Sequence, residues 1–476
     1  MKSGIKSAIR IASFLLILVV VLMFVNSIFK FKYGDGIYSI KSFYAQEENS
    51  VDVLVLGSSH AFEEVNTGYL WDNYGIASYV LAGSVQPVWN SYYYLKEALK
   101  TQKPKLVIFE GFMLTYPENE YMTDENVIKN TFGMRSSLDK YYAKRASIGE
   151  RSLKGLVLEY PYYHSRYKDI YSADFKEYYG NALYKYWKGY DCNYAWEENA
   201  VEDVSQVSSR VELPSKVEHY YRMLIELAQK NGIPILIAVA PYGSINEEEQ
   251  GKLNKASDIA SEYGVEFINY NTHPEEIGID EKLDYADRYH LNYRGNEKLT
   301  KALGEYVKSE YDIPDRRGDE YYSSWEDSST YQKADLFDFE LPKINNPNEY
   351  ICKLENNGKL NVIVLVNGKP VLNESSINSL NLMGINDLGV YVKNDETVAV
   401  RVEDDDFLWE KDGESFRALA VYSDSDSKPV SYEIYINGKR KYYPENSINI
   451  FVYDTVTEKA IDFVTFTDDD NNLLVR

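Results

Sequence analysis

The sequence is poor in cysteine, histidine and basic residues, and these shortages exclude several classes of function. Its 476 residues include two cysteines and five histidines, and 51 basic residues stand against 74 acidic ones, for a formal net charge of -23. A surface of this sign repels phosphate backbones and no basic stripe offsets it, so nucleic acid is excluded as a partner. No P-loop or G-x-G-x-x-G motif follows a strand-like segment, which leaves nucleotide chemistry without support.

Metal and disulfide chemistry also lack a sequence signal. Cys192 and Cys352 lie in different predicted modules, without metal-ligand spacing around either, so we expect two unpaired thiols. The acidic runs 404–406 and 468–470 lack the spaced ligands and the glycine of a calcium loop, and we expect solvated turns there. The sequence therefore predicts neither a metal nor a cofactor.

One long apolar run is present near the N-terminus. It extends from Ile11 to Phe29, about the length that spans a bilayer core as a helix. Lys2, Lys6 and Arg10 precede it, so the positive-inside rule places the N-terminus in the cytoplasm and the rest of the chain outside the cell. A cleaved signal peptide is the alternative, but the run is long for one and no small-x-small site follows closely. We expect a single-pass anchor in residues 1–32, in the cell membrane of a Gram-positive bacterium, because few cysteines suit such a surface.

After a short polar stalk at 33–50, residues 51–311 show the pattern of an α/β domain. Short, nearly continuous apolar segments alternate with segments of helical spacing, which is typical of parallel strands covered on both faces. The strand candidates are 51–57, 77–83, 105–111, 233–241 and 265–271, and the helix candidates are 88–100, 211–231, 246–263 and 295–311. The pattern predicts a three-layer α/β fold with a parallel sheet, in which ligands bind beyond the carboxyl ends of the strands.

A tyrosine-rich insertion, about 112–210, interrupts this pattern. It is too long for a crossover, so we interpret it as a helical insertion or cap over the strand ends. Its tyrosines serve either internal packing or a substrate wall, because aromatic rings cover sugar faces well and their hydroxyls supply hydrogen bonds. The sequence leaves both interpretations open.

The last part of the chain has a different pattern. A polar, acidic linker is predicted at 312–347, and the strand-like segments in residues 348–476 predict an all-β sandwich. Asn367-Gly368 and Asn437-Gly438 are strong signals for two-residue hairpin turns.

The hexapeptide GSSHAF, which begins at Gly57, directly follows the first strand candidate. A core strand does not need two hydroxyls and a histidine at its end, whereas a nucleophile presented there does. A serine hydroxyl is a weak nucleophile without a base, and the base needs an orienting group. His290 stands just before the last helix candidate, with Asp287 three residues upstream, a spacing that lets the carboxylate reach one imidazole nitrogen.

These segments resemble the sequence blocks of the SGNH (GDSL-like) hydrolase superfamily. The matching blocks are Gly57-Ser58-Ser59, Gly83 and Asp287 to Asn292. The resemblance covers roughly residues 51–311 without the insertion. It implies Ser59 as the nucleophile, His290 and Asp287 as the other triad members, and the backbone N–H groups of Ser59 and Gly83 as oxyanion donors. Ser58 is the other candidate for the nucleophile.

The third block departs from the family pattern. Where the family has an asparagine after the third strand, this chain has Glu110, and an ionised glutamate only accepts hydrogen bonds. The departure is similar to the membrane-tethered branch that works in cell-surface acyl transfer, such as the alginate O-acetylation proteins and the D-alanyl transfer protein of teichoic acid. The segment YHSR at 163–166 is similar to one in anchored Gram-positive members.

The resemblance implies a set of substrate-binding residues around the triad. This set contains His60, Glu110, His164, Arg166 and Asn292. His164 and Arg166 suit a buried structural network equally well. His60 suits a pocket-lining or structural role better than that of the base, because as the neighbour of Ser59 it would point away from that hydroxyl.

The resemblance implies an extracellular, membrane-anchored serine esterase or O-acyltransferase that acts on acetyl or similar groups of cell-surface or exported polysaccharide. A surface glycan or a teichoic-acid-like polymer would be the acceptor, and a multi-spanning membrane O-acyltransferase would be a partner. Esterase and transferase share the same residues, because water and sugar compete for one acyl-enzyme. A catalytically silent surface scaffold, whose β-domain binds carbohydrate or protein, is the alternative that the altered third block motivates.

Overall fold

The computed structural model of the chain describes residues 2–30, 35–116, 123–148, 164–171, 174–175, 187–355, 357–368, 374–387, 389–394, 398–423, 428–441, 446–466 and 474–475. They form two compact units, Met1–Ser329 and Thr330–Arg476. Cys192 and Cys352 are not joined in a disulfide.

The first unit is built on a five-stranded parallel sheet. Its strands are β1 (Val53–Gly57), β2 (Ser78–Ala82), β3 (Leu106–Glu110), β4 (Ile235–Val239) and β5 (Glu266–Asn269). Their spatial order is β2-β1-β3-β4-β5, and every pair is parallel. β1 to β4 are buried along their whole length, which explains why they are continuously apolar rather than alternating.

Helices cover both faces of this sheet. The described helices up to the boundary between the units are α1 (Lys2–Phe29), α2 (Asp35–Phe43), α3 (Ser59–Glu64), α4 (Thr67–Tyr74), α5 (Val88–Ala98), α6 (Asp124–Thr131), α7 (Leu138–Ile148), α8 (Ser215–Lys230), α9 (Glu247–Glu262) and α10 (Tyr293–Glu310), and α11 (Ser323–Glu340) crosses that boundary. Successive residues of β1 belong to two different hydrophobic clusters. Leu54 and Leu56 pack in one cluster, and Val53 and Val55 pack in the other. The predicted parallel sheet between helical layers is confirmed.

α1 is long and apolar enough over Ile9–Phe29 to be a membrane anchor or a signal sequence. The segment 33–50, for which the sequence predicts a polar stalk, contains α2, and α2 packs on the edge strand β2. Ser39 Oγ donates to Val80 O at 2.8 Å, and the Tyr79 hydroxyl donates to Ser39 O at 2.8 Å. These bonds satisfy backbone and side-chain groups of an edge that would otherwise be open.

Arg166 joins the C-terminal end of α1 to the rest of the unit. Its guanidinium donates to the carbonyls of Phe29 at 3.0 Å and Lys30 at 2.7 Å, and bonds both carboxylate oxygens of Asp174 at 3.0 and 3.1 Å. A cation at a helix C-terminus satisfies the last carbonyls and interacts favourably with the helix dipole. The end of α1 is therefore held by a buried ion pair.

The insertion at 112–210 is described in part. Besides α6 and α7 it contains 3₁₀ turns at Phe112–Leu114 and His164–Lys168, and residues 190–214 have no regular structure. Most of its tyrosine-rich stretch lies outside the described residues. The segment 312–347, for which the sequence predicts a linker, contains α11 and the boundary between the two units.

The second unit contains two antiparallel sheets, as predicted. The six-stranded sheet is formed by β6 (Leu360–Asn367), β7 (Gly389–Asn394), β8 (Val400–Val402), β13 (Ser447–Asp454), β14 (Lys459–Phe466) and β15 (Leu474–Val475), and the four-stranded sheet by β9 (Asp406–Lys411), β10 (Glu414–Val421), β11 (Ser431–Ile436) and β12 (Lys439–Lys441). Ile363 and Phe451 of one sheet pack with Phe416 and Ile434 of the other.

The description of this unit as all-β is wrong, because two helices cover the other face of the six-stranded sheet. They are α12 (Pro347–Glu355) and α13 (Glu374–Leu382). Val362 and Val364 of β6 pack against Tyr350 and Leu354 of α12. β6 is apolar on both faces, so a helical layer is needed to keep its second face from water.

One of the two predicted hairpins forms. Asn437 and Gly438 have positive φ angles of 50° and 73° and connect the antiparallel strands β11 and β12, as a two-residue turn requires. The prediction of a hairpin at Asn367-Gly368 is wrong, because β6 pairs with β7 and β13 on its two sides. The next described element after Gly368 is α13. A local turn signal does not fix what the following segment pairs with.

Removing the Arg166 side chain should destabilise the first unit strongly. Arg166→Ala leaves the Asp174 carboxylate buried without its guanidinium partner, which typically costs about 3–5 kcal/mol. We expect a clearly lower melting temperature for the full-length protein in detergent. Arg317→Ala breaks the half-exposed pair with Asp315 and serves as the control, with an expected cost under about 1 kcal/mol. Equal melting temperatures for both variants would contradict the assignment.

Candidate active site

Ser59 is presented at the carboxyl end of the central strand β1. Gly57 ends β1, Ser58 is the N-cap residue of α3, and Ser59 begins that helix. A Cβ on Gly57 would stand 2.8 Å from the Cβ atoms of Ala61 and Glu110, so only glycine allows the chain to turn this closely between its neighbours. β2 and β3 flank β1 on either side, which makes this strand end the topological switch point of the sheet.

A compact turn before α10 holds His290. Its backbone is closed by a bridge between Tyr285 and Leu291 and by a bond from Ala286 N to His290 O at 2.8 Å. Asp287 Oδ1 accepts the backbone amides of Tyr289 at 2.7 Å and His290 at 2.8 Å. The carboxylate is thereby fixed beside the imidazole that follows it three residues later.

The structure brings Ser59, His290 and Asp287 into one hydrogen-bonded chain. His290 Nε2 lies 2.8 Å from Ser59 Oγ, and His290 Nδ1 lies 3.1 and 3.0 Å from the two oxygens of Asp287. The side chains of His290 and Asp287 are 18% and 43% exposed, so the chain opens to solvent. A base that contacts the hydroxyl, and a carboxylate that contacts the other nitrogen of the base, form the arrangement of a serine nucleophile.

Electrostatics separate the two titratable members of this chain. Burial acts to raise the pKa of Asp287, but hydrogen bonds from His290 and from the backbone amides hold this pKa at about 2. Burial acts to lower the pKa of His290, yet its hydrogen bond to Asp287 and the negative charges of Glu63 and Asp287 raise this pKa above its ordinary value. Asp287 is therefore ionised and stabilises a proton on His290.

Ser58 does not share this geometry. Its hydroxyl is buried and no described group forms a hydrogen bond of good geometry with it. His290 contacts Ser59 instead, so the structure favours Ser59 of the two candidate hydroxyls.

A buried layer lies beneath the triad. His60 is fully buried, with Nδ1 3.1 Å from Glu64 Oε1, and its ring stacks on Phe112 with the centroids 3.8 Å apart. Glu64 Oε1 also accepts the backbone amide of Leu291 at 3.2 Å, next to His290. Burial lowers the pKa of His60 and raises that of Glu64, so it favours the neutral form of each. His60 therefore supports the site from below instead of lining an open pocket.

Glu110 is buried at the end of β3, where its Oε1 accepts the Phe112 amide at 2.9 Å. Burial raises the pKa of this carboxyl to about 8. The carboxyl is therefore mostly protonated at neutral pH, which corrects the expectation of an ionised acceptor at this position. Gly83 follows β2, whose last residue Ala82 pairs with Gly57, so Gly83 lies at the same edge of the sheet as Ser59.

Asn292 is occupied as the N-cap of α10. Its Oδ1 accepts the amides of Arg294 at 2.9 Å and Gly295 at 3.3 Å, and its Nδ2 donates to the carbonyls of Leu283 and Tyr285. The residue is 1% exposed, so it shapes the His290 turn instead of binding a substrate. An asparagine directly before a helical segment is an N-cap signal that can be read from the sequence.

Of the two residues predicted from the YHSR segment, Arg166 is not brought to the triad. Arg166 is bonded to the end of α1 and to Asp174, which fits the structural network that the sequence left open. His164 begins a 3₁₀ turn, and its side chain lies outside the described part of the chain.

Sequence reasoning missed several groups around the triad. Glu63 accepts a hydrogen bond from Asn193 at 2.6 Å and interacts with His290, while Tyr242 packs edge-on against Phe112. His60 and Glu64 are four residues apart in the short helix that begins at Ser59. This spacing is the signal that could have shown their pairing. Tyr242 and Asn193 come from distant segments that only the fold brings near.

Replacing the triad carboxylate should shift the titration of His290 in a defined direction. Asp287→Asn keeps the size of the side chain and removes its charge, so burial dominates and the pKa of His290 should fall. Ring resonances of ¹³C-labelled histidine measure this titration by NMR. The resonances of His273, which lies at the surface beside Glu275, provide the internal control. An unchanged His290 titration would contradict the coupling between the two residues.

The chain was compared with known proteins. No family model and no curated protein matches it. Among solved structures it is similar to a provisionally assigned acylhydrolase from Bacteroides fragilis, with 11% identity and a TM-score of 0.28, covering 56% of this chain and 89% of that one. It is also similar to a GDSL-like lipase from Bacteroides thetaiotaomicron, with 12% identity and a TM-score of 0.26, covering 54% of this chain and 87% of that one. Similarity at this level assigns no reaction, so we infer function from the geometry of the site alone.

Proposed function

We propose that the protein is a membrane-anchored serine esterase or O-acyltransferase of the SGNH type, acting on acyl groups of cell-surface or exported polysaccharide. The observation that carries this is the hydrogen-bonded chain from Ser59 Oγ through His290 to Asp287, with 2.8 Å between the hydroxyl oxygen and the imidazole. The strand order with the nucleophile at the switch point also supports it.

In the first step Ser59 Oγ attacks the ester carbonyl while His290 Nε2 takes the hydroxyl proton. The tetrahedral intermediate collapses, the proton passes from His290 to the leaving alkoxide, and an acyl-Ser59 ester remains. Water or a sugar hydroxyl then attacks this ester with His290 as base, the bond from the acyl carbon to Ser59 Oγ breaks, and His290 returns the proton to Ser59. In this proposal the backbone amides of Ser59 and Gly83 donate to the carbonyl oxygen as it acquires charge, and the position of both residues at strand ends on one sheet edge supports this role.

His290 must be neutral at the start of each step, because it then accepts a proton from the attacking hydroxyl. The value of kcat/KM should therefore increase as the pH rises through the pKa of His290. Because this pKa is raised, the increase should occur at a higher pH than for an ordinary histidine. The negative charge of Asp287 stabilises the imidazolium that forms during each step.

The anchor gives the site its surroundings in this proposal. With the N-terminus in the cytoplasm, α1 spans the cell membrane and the α/β unit faces outward. The packing of α2 on β2 and the hydrogen bond from Arg166 to the end of α1 support a site held near the outer face of the cell membrane. A surface glycan or teichoic-acid-like polymer as acceptor, and a multi-spanning O-acyltransferase as the source of the acyl group, suit such a position.

A surface scaffold without catalysis is the second candidate. The observation that favours it is a cleft of about 920 Å³ in the second unit, with Arg401, Tyr422 and Asp405 among its lining residues. Such a cleft suits a bound sugar or peptide, and a binding role of the second unit is compatible with either candidate.

A fluorophosphonate probe tests the nucleophile directly. The wild-type protein in detergent should be labelled at Ser59, Ser59→Ala should lose all labelling, and Ser58→Ala should keep most of it. His290→Ala should lower the labelling rate by several orders of magnitude, because the hydroxyl then lacks its base. Peptide mass spectrometry locates the adduct. A wild-type protein that is not labelled at Ser59 favours the scaffold.

Competition between acceptors separates esterase from transferase. An acetyl-ester chromogen is incubated with the protein with and without polysaccharide acceptors, and both released acetate and acetylated glycan are measured. A transferase directs the acyl group to the glycan at the expense of acetate, whereas an esterase releases acetate in both cases. The Ser59→Ala protein is the control for uncatalysed transfer.

A further inference from the structure

Glu110 stands beside the end of the nucleophile's strand and takes no part in the steps described above. It ends β3, which pairs with β1, and its Cβ is 2.8 Å from where a Cβ on Gly57 would stand. Gly83 follows β2 on the opposite side of β1. Ser59 therefore emerges between Gly83 and Glu110, at the edge of the sheet where a ligand binds.

The Glu110 carboxyl has one oxygen that lacks a good partner. Oε1 accepts the Phe112 amide, whereas Oε2 is enclosed and no described residue forms a hydrogen bond of good geometry with it. The Ala240 amide also lies near the carboxyl and favours its ionised form, but burial outweighs both amides, so the group is protonated at neutral pH. We assign the O–H to Oε2, because Oε1 accepts the Phe112 amide and Oε2 does not.

The neighbours of Glu110 do not remove this proton. The titratable groups whose charges interact with it are Glu64 on α3, Tyr242 after β4 and His290 before α10. Glu64 is buried with a raised pKa, and no lysine or arginine among the described residues acts on the Glu110 carboxyl. A buried O–H without an acceptor is costly, and in native structures such a group requires an explanation.

We propose that Glu110 donates a hydrogen bond from Oε2 to the acyl oxygen of the bound ester and of its tetrahedral intermediate, as a third oxyanion donor beside the amides of Ser59 and Gly83. This inference rests on the proposed function and assigns the residue that takes the place of the family's asparagine. An ionised glutamate cannot donate a hydrogen bond at this position, but that limit does not apply to the neutral form. A neutral carboxylic acid donates one hydrogen bond, and a dry site strengthens it.

This role has a pH dependence of defined sign. The donor is present below a pKa of about 8 and is lost as the pH rises through that value, where a carboxylate would repel the oxyanion. His290 acts in the opposite sense, because it must lose its proton to act as base. We expect kcat/KM to pass through a maximum between these two titrations.

Two substitutions separate hydrogen-bond donation from packing. Glu110→Gln keeps a donor and cannot ionise, so with p-nitrophenyl acetate kcat should stay within about tenfold of the wild type and the decline at alkaline pH should disappear. Glu110→Met keeps the length without a donor and should lower kcat about 10²–10³-fold at nearly constant KM. Glu97→Gln, a buried glutamate on α5 paired with Lys100, is the control and should keep the wild-type pH profile. A Gln variant that keeps the alkaline decline, or a Met variant with wild-type kcat, would overturn the assignment.

A second measurement does not depend on turnover. Infrared difference spectra between the wild type and Glu110→Gln follow the Glu110 carboxylic acid band with pH, before and after a phosphonate adduct forms at Ser59. The adduct places a phosphoryl oxygen at the oxyanion position, so the acid band should persist to higher pH. If the acid band titrates at the same pH before and after labelling, the role of Glu110 is overturned while the proposed function stands. A protein without adduct at Ser59 instead rejects the proposed function, and this inference with it.

Discussion

Ser59 and His290 can contact each other only because the end of β1 and the turn before α10 lie at one edge of the parallel sheet. The two residues are 231 positions apart in the chain. Contacts between α3 and α10 fix this approach: Asn296 donates to Glu63 O, Thr300 donates to Glu64 O, and Glu64 accepts the amide beside His290. The glycine at the end of β1 lets α3 begin there without a clash. The geometry of the site is therefore a consequence of the packing of two helices on one strand.

Three carboxyl groups near the triad have different charge states, and their surroundings explain the differences. Asp287 accepts several hydrogen bonds at the solvent edge and keeps a pKa of about 2. Glu110 is buried with a pKa of about 8, and Glu64 is buried with a pKa well above its ordinary value. Hydrogen bonds to the charged form favour ionisation and burial opposes it. Asp287 thus keeps its negative charge next to the imidazole, whereas burial favours the neutral forms of Glu110 and Glu64.

The sequence predicts the α/β unit well because its signals are local. Continuous apolar strands, helices of the right length and the DRYHLN turn are each contained in a few adjacent residues. The same reasoning leads from GSSHAF to Ser59 and from Asp287 to His290. It misjudges Glu110, because the charge of a carboxyl depends on burial, which only the fold determines. It misses α13 for a similar reason: the Asn367-Gly368 turn signal is local, while the need to cover β6 is a property of the sheet. Arg166 likewise depends on the end of α1, a partner 136 or more residues away.

The central claim is that Ser59 carries the acyl group during turnover, and trapping the acyl-enzyme tests it most directly. The full-length protein is mixed with an acetyl ester, quenched in acid within milliseconds to seconds, digested and mapped by mass spectrometry. The account predicts an acetyl group on the peptide that contains Ser59, localised to that residue by fragmentation and absent when His290 is replaced. An acetyl group on Ser58, on another residue, or on none while the ester is consumed would contradict it.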